Sequence, residues 1–244
     1  MTETKAAPSS GTPPYNRWSG KKDTTFESIA LREEVGPMEV EVTDGLIKQY
    51  VFCQDAYKSW HFIASPFGGP IAHAALLAND LMTVYYTSYD RTTLAGLHTT
   101  NELFFHAPVP MGETVTITGR FTDKYVRRDN GYVVLEAEAR DRQGNLLISH
   151  RHVEIMRIQA GSVIGRSSAP PPDDKIVPET NNPKPIDKAA AGIAPGTPIM
   201  STTKALSQDQ ISVHAFVGEH ERNLHNDIEA ARKYGLENTI AQGL

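Results

Sequence analysis

The sequence predicts an α+β domain in which an antiparallel sheet wraps around one buried helix. Three observations predict it. Residues 71–86, which follow Gly68, Gly69 and Pro70, are apolar on nearly every side, as befits a helix enclosed by protein. From Leu94 to Ile158 the apolar period switches to strand-like alternation, in four runs. Finally, Phe52–His61 can be laid without a gap on Phe216–His225, so the opening of the domain is written twice.

The elements follow in order. Met38–Val42 alternates as a short strand, and Thr43 and Asp44 are helix-capping residues. Leu46, Ile47, Tyr50 and Val51 then recur at helical spacing, which predicts a helix over 45–54. Residues 55–66 form a loop carrying Trp60 and His61. Pro70 has its φ set for a first helical position and gives up only an N–H that would go unpaired there. The buried helix is therefore expected over 71–86. Strands are expected over 94–105, 113–125, 132–140 and 146–158, with Asp129-Asn130-Gly131 as the hairpin turn between the second and third. The complete domain spans 26–158.

On either side the composition changes. Residues 1–25 are rich in Pro, Ser, Thr and Lys without an apolar core, and read as a mobile arm in a cytoplasmic protein with no secretory leader. Residues 159–198 hold three proline clusters and read as an exposed linker. Residues 199–244 are the opening segment of the second copy. There Asp55 falls on Glu219, His61 on His225, and Pro70-Ile-Ala-His73 on Thr239-Ile-Ala-Gln242. No strands follow, so the second unit is expected to be truncated.

Composition narrows the function. The net charge is −5 and no basic stripe is interleaved with aromatics, which speaks against nucleic acid. Cys53 is the single cysteine, too few for a disulfide framework or a cysteine-rich metal site. The 71–86 run is short and interrupted by Asn79 and Asp80, so it does not read as a membrane span. His150 and His152 alternate on one strand; sheet-surface or interface histidines explain them better than a metal pair. His98 and His106 belong to no motif.

The stretch Gly218-Glu-His-Glu-Arg-Asn-Leu-His225, with Asp227, Ala231, Gly235 and Ile240-Ala-Gln-Gly243, resembles the MaoC-like enoyl-CoA hydratases and dehydratases of the hotdog fold. The likeness is strongest to the double-hotdog kind. The family pattern is roughly Gly-Asp-x-Asn-Pro-Leu-His, followed by Ile-Ala-His-Gly. Gly68-Gly-Pro-Ile-Ala-His73 and the four strands extend the resemblance into the first copy. Three departures stand out: the proline before Leu-His is absent, the family's catalytic aspartate has no clean counterpart (Glu221 takes its place if the proline is deleted, Glu219 by the internal repeat), and Gln242 replaces the family's histidine, which the first copy keeps as His73.

The resemblance implies reversible addition of water to a 2-enoyl-CoA, with the thioester as substrate and neither metal nor cofactor. A carboxylate and an imidazole flanking one water can divide the proton transfers. His225 is the candidate imidazole, with Glu219 or Glu221 as the acid, and Asp55 and His61 are the first-copy equivalents. Gly68, Gly69, Ile71, His73, Trp60 and Gly243 are candidates for binding substrate, the glycines because N–H groups at a helix start can face the thioester oxygen. Asp55 equally suits a helix end, and His61 beside Trp60 a packed imidazole. An acyl-CoA thioesterase, or a non-catalytic acyl-CoA-binding subunit of a hydratase complex, is the alternative. A homodimer, or a heteromer with another hotdog chain, is expected because sheets of this kind continue edge to edge.

Overall fold

The computed structural model describes residues 20–91, 97–128, 130–156, 205–217, 223–233 and 235–242. The 159–198 linker, Glu219, Glu221 and Gly243 lie outside the described residues. In chain order the elements are β1 (Glu34–Glu41), α1 (Asp44–Gln54), α2 (Ala78–Thr83), β2 (Leu97–Phe105), β3 (Thr114–Arg127), β4 (Asn130–Arg140), β5 (Leu146–Met156), α3 (Gln208–Ala215) and α4 (Ile228–Lys233). The described residues divide into two compact units, one holding 20–41, 80–91, 97–106, 114–128 and 130–156, the other 42–79, 107–113, 205–217, 223–233 and 235–242.

The first unit is the sheet and the apolar segment that lies on it. Five antiparallel strands run in the order β1-β3-β4-β5-β2. Alternation sends Ile117, Gly119 and Phe121 to one face, opposite Ala139, Ala137 and Leu135 of β4. Leu81, Val84, Tyr85 and Tyr89 are all buried; the rings of Tyr85 and Tyr89 meet Phe121 edge-on at 5.6 and 5.7 Å. Each large apolar side chain of this row removed from water contributes about 1.5–3 kcal/mol to the unit's stability. Gly119 allows the approach. A Cβ there would stand 2.9 Å from the Glu136 carbonyl oxygen and 3.2 Å from Val84 Cγ1. Gly119→Val is therefore expected to cost about 1–3 kcal/mol by overpacking, read as a lower melting temperature.

The other face is polar. Glu34, Arg120, Glu136, Arg151 and Glu102 are paired strand by strand across the whole sheet. Their signs alternate, so each like charge is separated by an opposite one. Arg120 meets Glu34 at 3.9 Å and Arg151 meets Glu102 at 3.5 Å.

The inner face also carries a polar row. His150 and His152 stand opposite Ala137 and Leu135, so they are not on the sheet's outer surface as expected. Both are fully buried. His150 shares a hydrogen bond with Asn101. His152 stacks on His98 at 4.8 Å, with Nδ1 atoms 3.1 Å apart, and its Nε2 lies 3.3 Å from Glu154 Oε2. Tyr85 donates to the same oxygen at 3.0 Å. Burial, then Glu154, pushes the Tyr85 phenol well up.

Three expectations need correction. The helix over 71–86 is reduced to α2 and a 3-10 turn over Val84–Thr87. Its first half is spent otherwise. Ile71 N–H donates to the Trp60 carbonyl at 2.9 Å and Ala72 N–H to that of Val109 at 2.9 Å, so these residues pair as extended chain. The hairpin turns earlier than Asn130-Gly131: Asn130 is already paired with Arg127, and Arg128 takes the positive φ of 51°. Residues 20–24 are not part of a loose arm, since Gly20 and Lys22 donate to the carbonyls of Tyr86 and Ser88 and Thr24 is buried. Among the described residues no helix is long and apolar enough to cross a membrane.

The second unit holds α1, the 55–79 segment, α3 and α4. Here the repeat shows in the capping. Thr43 Oγ1 accepts from Leu46 N–H at 3.1 Å and Ser207 Oγ from Gln210 N–H at 3.1 Å, at matching positions of the two copies. The two capped helices, α1 and α3, pack on each other. Asp227 Oδ1 caps α4, accepting from Glu229 and Ala230 at 2.8 and 3.2 Å.

Candidate functional site

The repeated segments build the same imidazole position twice. In the first copy a 3-10 turn over Ser59–His61 brings the His61 ring to the extended Ile71, and Nδ1 lies 2.9 Å from the Ile71 carbonyl oxygen. In the second, Asn223 Oδ1 accepts from His225 N–H at 2.9 Å, and His225 Nδ1 lies 2.8 Å from the Ile240 carbonyl oxygen. A carbonyl only accepts, so each ring must carry its proton on Nδ1 when neutral. Nε2 is then a lone pair, the form a general base requires.

The copies differ in access. His61 is only 6% exposed, whereas His225 is half-buried. Beside His61 stands His73, ring centroids 5.9 Å apart. His73 Nδ1 accepts from Ala75 N–H at 3.2 Å, which places its proton on Nε2, the reverse of His61. Burial first, then His61 and Lys58, holds His73 below the usual imidazole range. It is thus a neutral donor. In the second copy its place is taken by Gln242, whose Oε1 accepts from His214 Nδ1 at 2.6 Å.

The other candidates are placed as follows. Asp55 ends α1 in the left-handed region, and its Oδ1 accepts from Gln210 Nε2 at 2.9 Å. Trp60 is exposed, with Lys58 Nζ 5.8 Å above its ring. Gly68 and Gly69 do not stand at a helix start. Gly68, at φ 111°, closes a tight turn with Ser65, its N–H donating to the Ser65 carbonyl at 3.1 Å. The helix-start oxyanion arrangement expected of these glycines is not formed, because α2 begins only at Ala78.

No family model and no curated protein sequence matches the chain. Solved structures do. A MaoC domain protein from Chloroflexus aurantiacus superposes with a TM-score of 0.63 at 12% identity, over 91% of this chain and 69% of its own. A MaoC-like dehydratase gives 0.60 at 15% identity, over 89% of this chain and 74% of its own. The fold is that of the MaoC-like dehydratases. It is the hotdog fold, and its antiparallel sheet and few helices confirm the α+β class. The monoamine oxidase regulatory protein from Archaeoglobus matches with 0.51 at 19% identity, using 57% of this chain and 98% of its own. That neighbour as a whole thus matches little more than half of this chain, while the other two matches run over nearly all of it.

Some residues near the two imidazoles carry no signature in sequence. Tyr50 packs between the copies of the repeat, its ring 5.1 Å from His73 and 5.7 Å from His214. Burial, then Cys53, pushes its phenol up to about 12. Cys53, Gln54, Gln210, His214 and Gln242 gather around a cavity of about 140 Å³. Extending the repeat backward to Thr43 and Ser207 is the signal that would have found them, since Tyr50 then falls on His214. Among the described residues no group of three or more His, Cys, Asp or Glu is placed to hold a metal ion.

Proposed function

We propose that the chain is a MaoC-like hydro-lyase, adding water reversibly to a 2-enoyl-CoA with His225 as the general base. The observation that carries this reading is the tie from His225 Nδ1 to the Ile240 carbonyl, 2.8 Å long. It leaves Nε2 to take a proton from water, and the ring is accessible where His61 is not. Glu219 or Glu221 supplies the proton to the α carbon. In this reading the first copy's His61 and Asp55 have become structural.

The active assembly is proposed to include a second hotdog, from a copy of this chain or from another hotdog chain. The two sheet edges support this. The β1 edge exposes Glu34, Glu39 and Glu41, charges that discourage strand pairing, whereas β2 exposes Leu97, Phe104 and Phe105, which invite it.

The test is loss of enoyl-thioester absorbance from crotonyl-CoA, run beside a free-thiol assay. Hydration without thiol release is expected, weak for the chain alone and rising with a hotdog partner. Thiol release without hydration makes the chain a thioesterase. A CoA ester that raises the melting temperature with no turnover under any condition makes it a binding subunit.

A further inference from the structure

The cavity between α1, α3 and residues 241–242 differs in character from its counterpart positions in the first copy. There Leu46, Tyr50 and His73 stand at the places of Gln210, His214 and Gln242, and the Tyr50 ring packs on His73. Three hydrophobic or aromatic positions have become two amides and a smaller ring. A core that merely needed filling would gain nothing from that exchange, because buried polar groups cost free energy unless they are paired.

Two of the three groups are occupied with holding the walls. Gln210 Nε2 donates to the Phe52 carbonyl and to Asp55 Oδ1, at 3.2 and 2.9 Å, and its Oε1 accepts from Ser207 N–H at 3.1 Å. It ties the start of α3 to the end of α1. His214 Nδ1 is engaged with Gln242 Oε1. That bond orients the Gln242 amide and leaves its NH2 as a donor at the cavity wall. Ile211 and Leu206 supply apolar lining, and among the described residues the lining contains no lysine, arginine, aspartate or glutamate. A neutral group carrying one acceptor fits such a wall.

Size completes the argument. The volume is about 140 Å³, close to that of a cavity of about 150 Å³ that takes benzene in another protein. A thioester head with a short acyl chain has about that many heavy atoms. Gln242 directly follows Ala241, and Ala241 follows the Ile240 whose carbonyl holds His225.

Resting on the hydro-lyase reading, we infer that this cavity is the acyl subsite of a short-chain CoA thioester, of about four to six acyl carbons, whose carbonyl oxygen accepts from Gln242.

Titration calorimetry of the full chain with butyryl-CoA, hexanoyl-CoA, decanoyl-CoA and free CoA tests it, with Ile211→Trp to fill the cavity and Gln242→Leu to remove the donor. Butyryl-CoA and hexanoyl-CoA are expected to bind about tenfold or more tighter than decanoyl-CoA. Gln242→Leu should weaken butyryl-CoA by about tenfold, and Ile211→Trp should abolish the preference for short chains. Gln242 is half-buried near the described end of the chain, so its substitution reports binding even where Ile211→Trp disturbs folding. Equal affinity for all lengths, or butyryl-CoA binding unchanged by Gln242→Leu, overturns the subsite while leaving the hydro-lyase reading standing. Failure of every CoA ester to bind, with and without a hotdog partner, overturns both.

Discussion

His225→Ala should lower kcat/KM for crotonyl-CoA hydration by about 10²–10⁴-fold, the ordinary contribution of a positioned general base. The tautomer makes this prediction specific. Nδ1 gives its proton to the Ile240 carbonyl, so Nε2 is the ring atom left to act as the base, and His225→Gln, with a hydrogen-bonding but non-basic side chain, should fail as badly as alanine. His61→Ala is the matched control. It removes the equivalent bond to Ile71 from a buried site and leaves a carbonyl without its partner, which should cost about 1–3 kcal/mol of stability. Its kcat/KM, measured below the lowered melting temperature, should stay within a few-fold of the parent. The opposite pattern, with activity surviving His225→Ala and lost in His61→Ala, would move the chemistry to the first copy. The two histidines share one tie from Nδ1 to a carbonyl, so the pair compares them at a matched tautomer.

The sheet was legible because period-two alternation survives tertiary context. Val115, Ile117, Gly119 and Phe121 were readable as one face, and they are the face on which Val84, Tyr85 and Tyr89 lie. The helix over 71–86 was misread for a definite reason. Apolar composition reports burial, and Leu76, Leu77, Leu81 and Val84 are indeed buried. It does not report where backbone groups find partners, and the carbonyls of Trp60 and Val109 are supplied from distant sequence. The hairpin was displaced because Asn-Gly is the stronger local signal, yet the β3–β4 register puts Arg128 in the turn. At the site, the repeat exposed His61 and His225 together with Ile71 and Ile240. Tyr50 and His214 meet only because α1 and α3 pack side by side, and no spacing within one segment encodes that. Alternation puts His150 and His152 on one face of their strand, which suits sheet-surface or interface histidines equally; the pairing with Ala137 and Leu135 decides the side.

That buried row makes stability depend on pH. Burial, then His152 and His98, pushes the His150 imidazole down to about 3. The groups around it are Asn101 and His98 from β2, His152 from β5 and the Leu81 backbone, with Glu154 and Tyr85 further along the row, against His152. His98 is also held low, by burial first and then His152. A depressed imidazole stays neutral in the folded chain while the unfolded chain takes up its proton near pH 6.5. The stabilisation is therefore complete above about pH 6.5 and is lost as pH falls from there towards 3. The slope approaches about 1.4 kcal/mol per pH unit, or about 2 kcal/mol between pH 7 and 5. For a chain of this size that is a fall of about 4–8 °C in melting temperature. His150→Gln keeps a group that can reach Asn101 but cannot take the proton. It should flatten the melting-temperature profile between pH 7 and 5 by that amount, whatever it does to the absolute value at pH 7. Parallel profiles for parent and variant would show that His150 is protonated in the fold at pH 5.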